Sequence, residues 1–133
     1  LTVERFEIRT PEQLTIARRA VTACATRLNF GDVERTKLVT AASELGRNVL
    51  VHGAGGTMTI SELQRAGRTG IELCFADQGP GIPDIGRAMQ DGFTTARSLG
   101  LGLGGARRLV NEFEIVSEPG MGTKVTVIQW KRR

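Results

Sequence analysis

The sequence predicts an α+β fold, a two-layer sandwich in which a mostly antiparallel sheet carries helices on one face. Three observations predict it. Segments 11–28 and 32–51 repeat apolar residues at helical spacing. Four later runs, 57–63, 70–76, 113–117 and 124–130, are rich in β-branched and apolar residues and form two neighbouring pairs joined by short turns. A third helical segment, 102–111, separates those pairs, an order that suits an antiparallel sheet backed by helices rather than repeated βαβ units.

Leu1 to Ile8 alternates apolar and polar residues and opens the chain as a strand, with Val3, Phe6 and Ile8 expected to face inward. Thr10-Pro11-Glu12-Gln13 then starts a helix: Thr10 caps, Pro11 suits the first helical position, and Gln13 completes a capping-box spacing. Its buried face is Leu14, Ala17, Val21, Cys24, Ala25 and Leu28. Asn29 to Gly31 ends that helix, and Asp32 is placed to cap a second one whose stripe is Leu38, Ala41, Leu45 and Val49. His52-Gly53-Ala54-Gly55-Gly56 is a helix stop and turn. The strands 57–63 and 70–76 then pair through a turn over Gln64–Thr69. Pro80 to Leu99 lacks apolar periodicity and is expected to be a loop with one short helix near Ile85–Gln90. The helix from Gly102 to Asn111 turns Leu103, Ala106, Leu109 and Val110 inward, and Glu118 to Gly122 joins the last two strands.

The 133 residues suit one domain, 1–133, with its own core. No linker, repeat or composition break divides them. No apolar run is long enough to cross a bilayer and no signal-peptide layout opens the chain, so a cytoplasmic protein without membrane contact is expected. The start at Leu1 instead of methionine suggests that an extension precedes it. Cys24 and Cys74 lack metal-site spacing and are expected to be reduced and buried. The net charge of +4 raises nucleic acid as a partner, but the basic residues are scattered and aromatic residues are only 5%. Without a stacking platform that class is set aside. A basic surface also suits an anionic nucleotide and an acidic protein partner.

The chemistry gathers in four places. Glu44, Asn48 and His52 recur every four residues and so lie along one helix stripe. An amphipathic helix with a solvated face explains such a stripe equally well. The sharper reading gives a carboxylate that orients or deprotonates a hydroxyl and an amide oxygen that ligates Mg²⁺. Asp77 ends a strand where the chain turns through Gly79 and Gly81. A strand-end Asp-Gly loop is common. A carboxylate there can also accept the exocyclic amine of adenine, with glycines letting the backbone approach the base. Gly100-Leu101-Gly102-Leu103-Gly104-Gly105 opens a helix, and its free amides can cradle phosphate. The same letters at Gly100, Gly102 and Gly105, with Glu118 beyond, fit a dinucleotide fingerprint. That fingerprint needs a buried strand just before Gly100, and Thr94–Leu99 is short and polar. Gly120-x-Gly122-Thr123 is a hairpin turn, compatible with a Thr123 hydroxyl that supports the Asp77 carboxylate or a water beside adenine.

Taken together, Glu44-x-x-x-Asn48, Asp77-x-Gly79-x-Gly81, Gly100-x-Gly102-x-Gly104 and Gly120-x-Gly122-Thr123 resemble, in order, the asparagine box and three glycine boxes of the GHKL superfamily of ATPases. The likeness covers nearly the whole chain. It is strongest to anti-sigma-factor-type serine kinases, and within them to RsbT-like switch kinases of the stressosome, through Ala42–Asn48, Asp77–Ile85 and Asp91–Thr95. The resemblance implies a Bergerat-type ATP-binding fold with a short ATP lid at about 83–99. It implies Glu44 as catalytic base, Asn48 as nucleotide and Mg²⁺ ligand, and Asp77 as the acid that reads adenine. Gly79 and Gly81 become the adenine loop, and Gly100, Leu101, Gly102, Leu103 and Gly104 the phosphate-contacting turn, with Thr123 beside the base. Arg47 and Arg97 are further candidates for phosphate contact. Members phosphorylate a serine of a STAS-domain antagonist protein, and RsbT-like ones then activate a PP2C-type phosphatase through its amino-terminal region. A nucleotide-binding module that works by docking, with little transfer, is the alternative. The chain departs from histidine kinases in lacking dimerisation helices and a phosphoacceptor-histidine motif.

Overall fold

A computed structural model describes residues 3–82, 85–89 and 102–132. Along the chain these form β1 (Val3–Ile8), α1 (Pro11–Arg27), α2 (Asp32–Val51), β2 (Gly56–Arg65), β3 (Arg68–Asp77), α3 (Ile85–Ala88), α4 (Gly102–Leu109), β4 (Glu112–Glu118) and β5 (Gly122–Trp130). The strands make one sheet in the order β1-β2-β3-β5-β4, and every pairing among the described residues is antiparallel. The α+β expectation therefore holds, and no parallel βαβ unit of the dinucleotide type is present among those residues.

One row of side chains shows how the layers meet. Phe6 opposes Met58, Met58 opposes Phe75, Phe75 opposes Val125, and Val125 opposes Ile115. Cross-strand partners share a face, so all five strands present this row to the helices. Behind it Ile8, Ile71, Leu73 and Val127 are fully buried, together with Ala17 and Val21 of α1 and Leu38, Ala41 and Leu45 of α2. Each large side chain buried here contributes about 1.5–3 kcal/mol. The helices come close where side chains are small: a Cβ on Gly46 would stand 2.3 Å from Leu14 Cδ1. One buried polar side chain ties the layers together. Gln129 accepts from the Asn111 N–H (3.0 Å) and donates to the carbonyls of Leu109 (3.3 Å) and Glu34 (3.4 Å), satisfying a 2% exposed amide.

Local signals act as expected at the first helix. The Gln13 N–H donates to Thr10 Oγ1 (3.1 Å), while Gln13 Oε1 accepts from the N–H of Arg9 (2.7 Å), one residue before the usual capping-box partner. At the second helix the expectation fails. The cap position is Gly31, with no side-chain cap bond, and Asp32 is already helical and pairs with Arg35. The β2–β3 turn is also tighter than expected. Pairing continues to Arg65 opposite Arg68, leaving Ala66 (φ 53°) and Gly67 (φ 79°) as a two-residue hairpin with both φ positive. Val3, expected inward, is 66% exposed, because strand alternation puts it on the face opposite Phe6 and Ile8's side of the pleat. Cys24 is buried, and burial pushes its thiol pKa up. Cys74 is not buried: it lies half-exposed on the helix-free face, 3.8 Å from Thr126 Oγ1.

That helix-free face carries its own pin. Trp130 lies over Gly70, its indole N–H donates to Glu112 Oε2 (2.7 Å), and the guanidinium groups of Arg65 and Arg68 stand 5.0 and 5.7 Å from the ring centroid. A Cβ on Gly70 would sit 2.7 Å from the ring. Gly70→Ala is therefore expected to lower stability by about 1–3 kcal/mol through overpacking. Urea denaturation followed by the fluorescence of this lone tryptophan measures it. An unchanged midpoint would show that the ring moves aside freely.

Candidate active site

The stripe read on α2 runs from core to solvent. Glu44 is buried at 6% exposure, Asn48 is half-buried and His52 is exposed, while Leu45 and Val49 fill the core beside them. The helix thus buries a carboxylate in an otherwise apolar wall. Glu44 Oε2 has no hydrogen-bond partner among the described residues. A buried carboxylate oxygen left unpaired costs free energy, and it is a ready acceptor for a hydrogen-bond donor that a substrate brings. Arg47 is exposed on the same helix, and Arg97 lies outside the described residues.

The second part of the site forms where the sheet register ends. Gly56 opposes Asp77, so the turn after α2 meets the last residue of β3. The α2 carbonyl of Asn48 accepts from the N–H groups of both His52 (2.9 Å) and Gly53 (3.1 Å), closing the helix just above that point. Gly53 then lies against Asp77: a Cβ there would stand 2.5 Å from the carboxyl carbon and 2.6 Å from Oδ2. A Cβ on Gly79 would in turn stand 2.8 Å from Gly53 Cα. The Asp77 carboxylate therefore sits in a slot whose walls are backbone. Its Oδ1 accepts from the N–H groups of Gly79 (2.8 Å) and Thr123 (3.3 Å), which offset its burial and fix its orientation.

The loop after Asp77 is sewn to the β4–β5 turn. The Gly120 N–H donates to the Pro80 carbonyl (2.7 Å), and the Ile82 N–H donates to Ser117 Oγ (2.8 Å). Gly81 passes so close that a Cβ would lie 2.2 Å from the Glu118 carbonyl oxygen, at a positive φ of 78°. Thr123 differs from expectation in one respect. Its backbone N–H, not its hydroxyl, meets Asp77, and the hydroxyl bonds to Ser117 Oγ (2.7 Å).

The third part is incomplete in the described residues. α4 packs on α2, with Leu103, Gly104, Gly105 and Ala106 buried, and Gly102 begins it at φ 52°. The Leu103 side chain is 7% exposed, so only its backbone is free for a ligand. A helix start carries unpaired N–H groups and partial positive charge, which favour phosphate. Gly100 and Leu101, and most of the expected lid at 83–99, lie outside the described residues; the short helix expected near 85–90 is α3.

Two residues of this site escaped the sequence reading. Gly53 was legible only as part of a turn, and Ser117 only as a strand residue. A groove of about 520 Å³ between α3, α4 and β4 is lined by Ile85, Gly86, Met89, Arg107, Phe113 and Ile115; neither Glu44, Asn48 nor Asp77 lines it.

The donor set fits a nucleotide with Mg²⁺. Among the described residues no three His, Cys, Asp or Glu side chains cluster to hold a metal alone. Mg²⁺ keeps several waters and takes most of its other ligands from phosphate, so a single amide oxygen such as that of Asn48 is a sufficient protein contribution. An acceptor carboxylate in a backbone-walled slot fits the amine edge of a purine.

Comparison with known proteins gives the family and the fold. Residues 9–129 match the model of the histidine kinase-like ATPase domain. The chain is 40% identical over 125 residues to the serine/threonine-protein kinase RsbT of Bacillus subtilis, covering 94% of each chain. It is 34% identical over 122 residues to an anti-sigma F factor of a Thermoanaerobacter species, covering 87% of this chain and 84% of that one. Among solved structures, the RsbU and RsbW domains of a Mycobacterium tuberculosis protein share the fold with a TM-score of 0.67 at 18% identity; all of this chain aligns, over 34% of the longer one. No helix among the described residues is long and apolar enough to cross a membrane.

Proposed function

The chain belongs to the histidine kinase-like ATPase family as a protein serine/threonine kinase, and from that premise we propose that it transfers the γ-phosphoryl group of ATP, with Mg²⁺, to a serine of a STAS-domain antagonist protein. In this reading it is a cytoplasmic partner switch that afterwards binds and activates a PP2C-type phosphatase. The observation that carries it is a buried, unpartnered Glu44 oxygen on α2 together with the glycine-walled Asp77 carboxylate, which ends β3 and lies against Gly53 just beyond the end of that helix. From Glu44 the helix runs seven more residues to Val51, roughly 10 Å along its axis, and the turn at His52 and Gly53 carries the chain on to the Asp77 carboxylate. That is the scale over which a nucleotide reaches from base to terminal phosphate.

Each residue then has a role. Asp77 accepts the adenine amine, with its other oxygen committed to the Gly79 and Thr123 amides. Asn48 supplies an oxygen to the metal, and the start of α4 offers N–H groups to the phosphates. Glu44 orients the serine hydroxyl of the docked partner and accepts its proton as the serine oxygen bonds to the γ-phosphorus and the bond from that phosphorus to the β–γ bridging oxygen breaks, with ADP as the leaving group. When bound, Mg²⁺ neutralises charge on the phosphates. Such a reaction needs positioning and charge stabilisation more than covalent chemistry, which suits a domain this small.

A second reading is favoured by the 34% identity to a protein whose name, anti-sigma F factor, describes opposition to a sigma factor and names no kinase activity. There the chain acts as a nucleotide-dependent docking module with slow transfer. Incubation with labelled ATP, Mg²⁺ and a panel of STAS-domain proteins separates the two. Acid-stable label on a partner serine is the expected result. Stable complexes without label would favour the module, and acid-labile label would indicate a histidine kinase instead.

A further inference from the structure

Ser117 stands where three segments meet, and its hydroxyl is fully used. It accepts from the Ile82 N–H (2.8 Å), donates to the Gly122 carbonyl (3.1 Å), and lies 2.7 Å from Thr123 Oγ1. A serine hydroxyl has one proton and two lone pairs. With its proton on Gly122, its remaining bond is donated by Thr123, so every site is filled. Ser117 is also the cross-strand partner of Thr123, whose N–H meets Asp77.

We infer that Ser117 is a positioning residue for nucleotide-base recognition: it fixes the far end of the 78–82 loop so that this loop is ordered before a base arrives. The inference rests on the proposed adenine-reading role of Asp77. The near end of the loop is fixed by Asp77 itself, through Oδ1 and the Gly79 N–H (2.8 Å). The middle is held by the Gly120 N–H on the Pro80 carbonyl (2.7 Å). At the far end, the Ile82 N–H has Ser117 Oγ as its partner. The loop contains Gly79 and Gly81, and glycines lose the most conformational freedom on ordering. A loop held at both ends has lost that freedom already. A loop released at Ile82 must lose it when the ligand binds, and affinity falls accordingly. Glu44 and Asn48 lie on α2 and make none of these bonds, so the transfer step at saturating nucleotide is not affected.

The test compares Ser117→Ala and Ser117→Thr with wild type in the whole chain, by calorimetric titration with Mg·ATP and Mg·GTP and by transfer kinetics. Ser117→Ala is expected to raise the Kd and KM for ATP about tenfold, to narrow the preference for ATP over GTP, and to keep kcat. Ser117→Thr, which keeps the hydroxyl, restores affinity. Amide hydrogen exchange should quicken at Ile82 in Ser117→Ala and not at Leu73 or Val127 in the core. Wild-type ATP affinity in Ser117→Ala would overturn the inference, as would a loss of kcat and thermal stability that threonine does not repair. If the alanine variant does not fold, Ser117→Cys decides by the same titration, an unchanged Kd counting against the inference. Asp77→Asn run in parallel separates the two ideas. If it binds ATP as wild type does, the reading of the pocket fails; if it loses ATP while Ser117→Ala keeps it, only the role of Ser117 fails.

Discussion

Glu44→Ala is expected to bind ATP near the wild-type affinity and to lose phosphoryl transfer by about 10²–10⁴-fold, the usual contribution of a positioned general base. The structure separates these effects. Glu44 is buried on α2 with one oxygen unpaired, whereas the carboxylate assigned to the base lies at the end of β3. Removing Glu44 leaves the bonds around Asp77 in place. A second consequence has the opposite sign from most substitutions in a buried wall. Burying a carboxylate without a full set of partners costs more than burying a neutral amide of the same shape. Glu44→Gln is therefore expected to inactivate the protein while raising its melting temperature by about 4 °C, the shift for roughly 1 kcal/mol in a domain of this size. Single-turnover labelling of a STAS partner and a thermal melt measure the two. Transfer at the wild-type rate in Glu44→Ala would remove Glu44 from the mechanism. A fall in melting temperature for Glu44→Gln would show that its second oxygen does structural work.

What was legible in the sequence follows from the range of the interactions involved. The Thr10–Gln13 cap, the apolar stripes of α1 and α2, and the two strand pairs arise from neighbours within a turn or a hairpin, and they were readable from spacing. The relation of Glu44 to Asn48 was readable for the same reason. Errors arise where a face or a register decides. Val3 is apolar but stands on the wrong parity from Phe6 and Ile8, so the pleat turns it out. Cys74 belongs to an apolar run whose alternate members face a layer without helices, and nothing local says which face that is. Asp32 follows a glycine already able to cap, so its side chain went to Arg35 instead. Gly53 and Ser117 act through partners 24 and 35 positions away (77 less 53, and 117 less 82). The β2–β3 register brings Gly53 to Asp77, and the β3–β5 and β4–β5 registers together bring Ser117 to Ile82. A sequence signal for Gly53 did exist: small residues crowd 53–56, immediately before the strand that pairs with the Asp77 strand.

Asp77→Asn is the sharpest test of the pocket, because the substitution alters one face of the side chain and spares the other. Oδ1 holds the Gly79 and Thr123 N–H groups. An asparagine carbonyl oxygen accepts both bonds equally, and its amide cannot, so those two donors fix which way the new side chain points. The amide nitrogen then replaces Oδ2, the atom facing Gly53 and the proposed base edge. There a donor meets the adenine amine, which is also a donor. The loss is one hydrogen bond plus an unsatisfied pair, about 1–3 kcal/mol, or roughly 5- to 150-fold in Kd at tenfold per 1.4 kcal/mol. The fold is expected to survive, since the loop keeps its bonds to Gly79, Thr123 and Ser117. Calorimetric titration with ATP, alongside a thermal melt, reads both. A large loss of affinity at constant melting temperature places base recognition at Asp77. Equal losses of affinity and stability would mean that the carboxylate serves the loop alone, and unchanged binding would move the purine out of this slot.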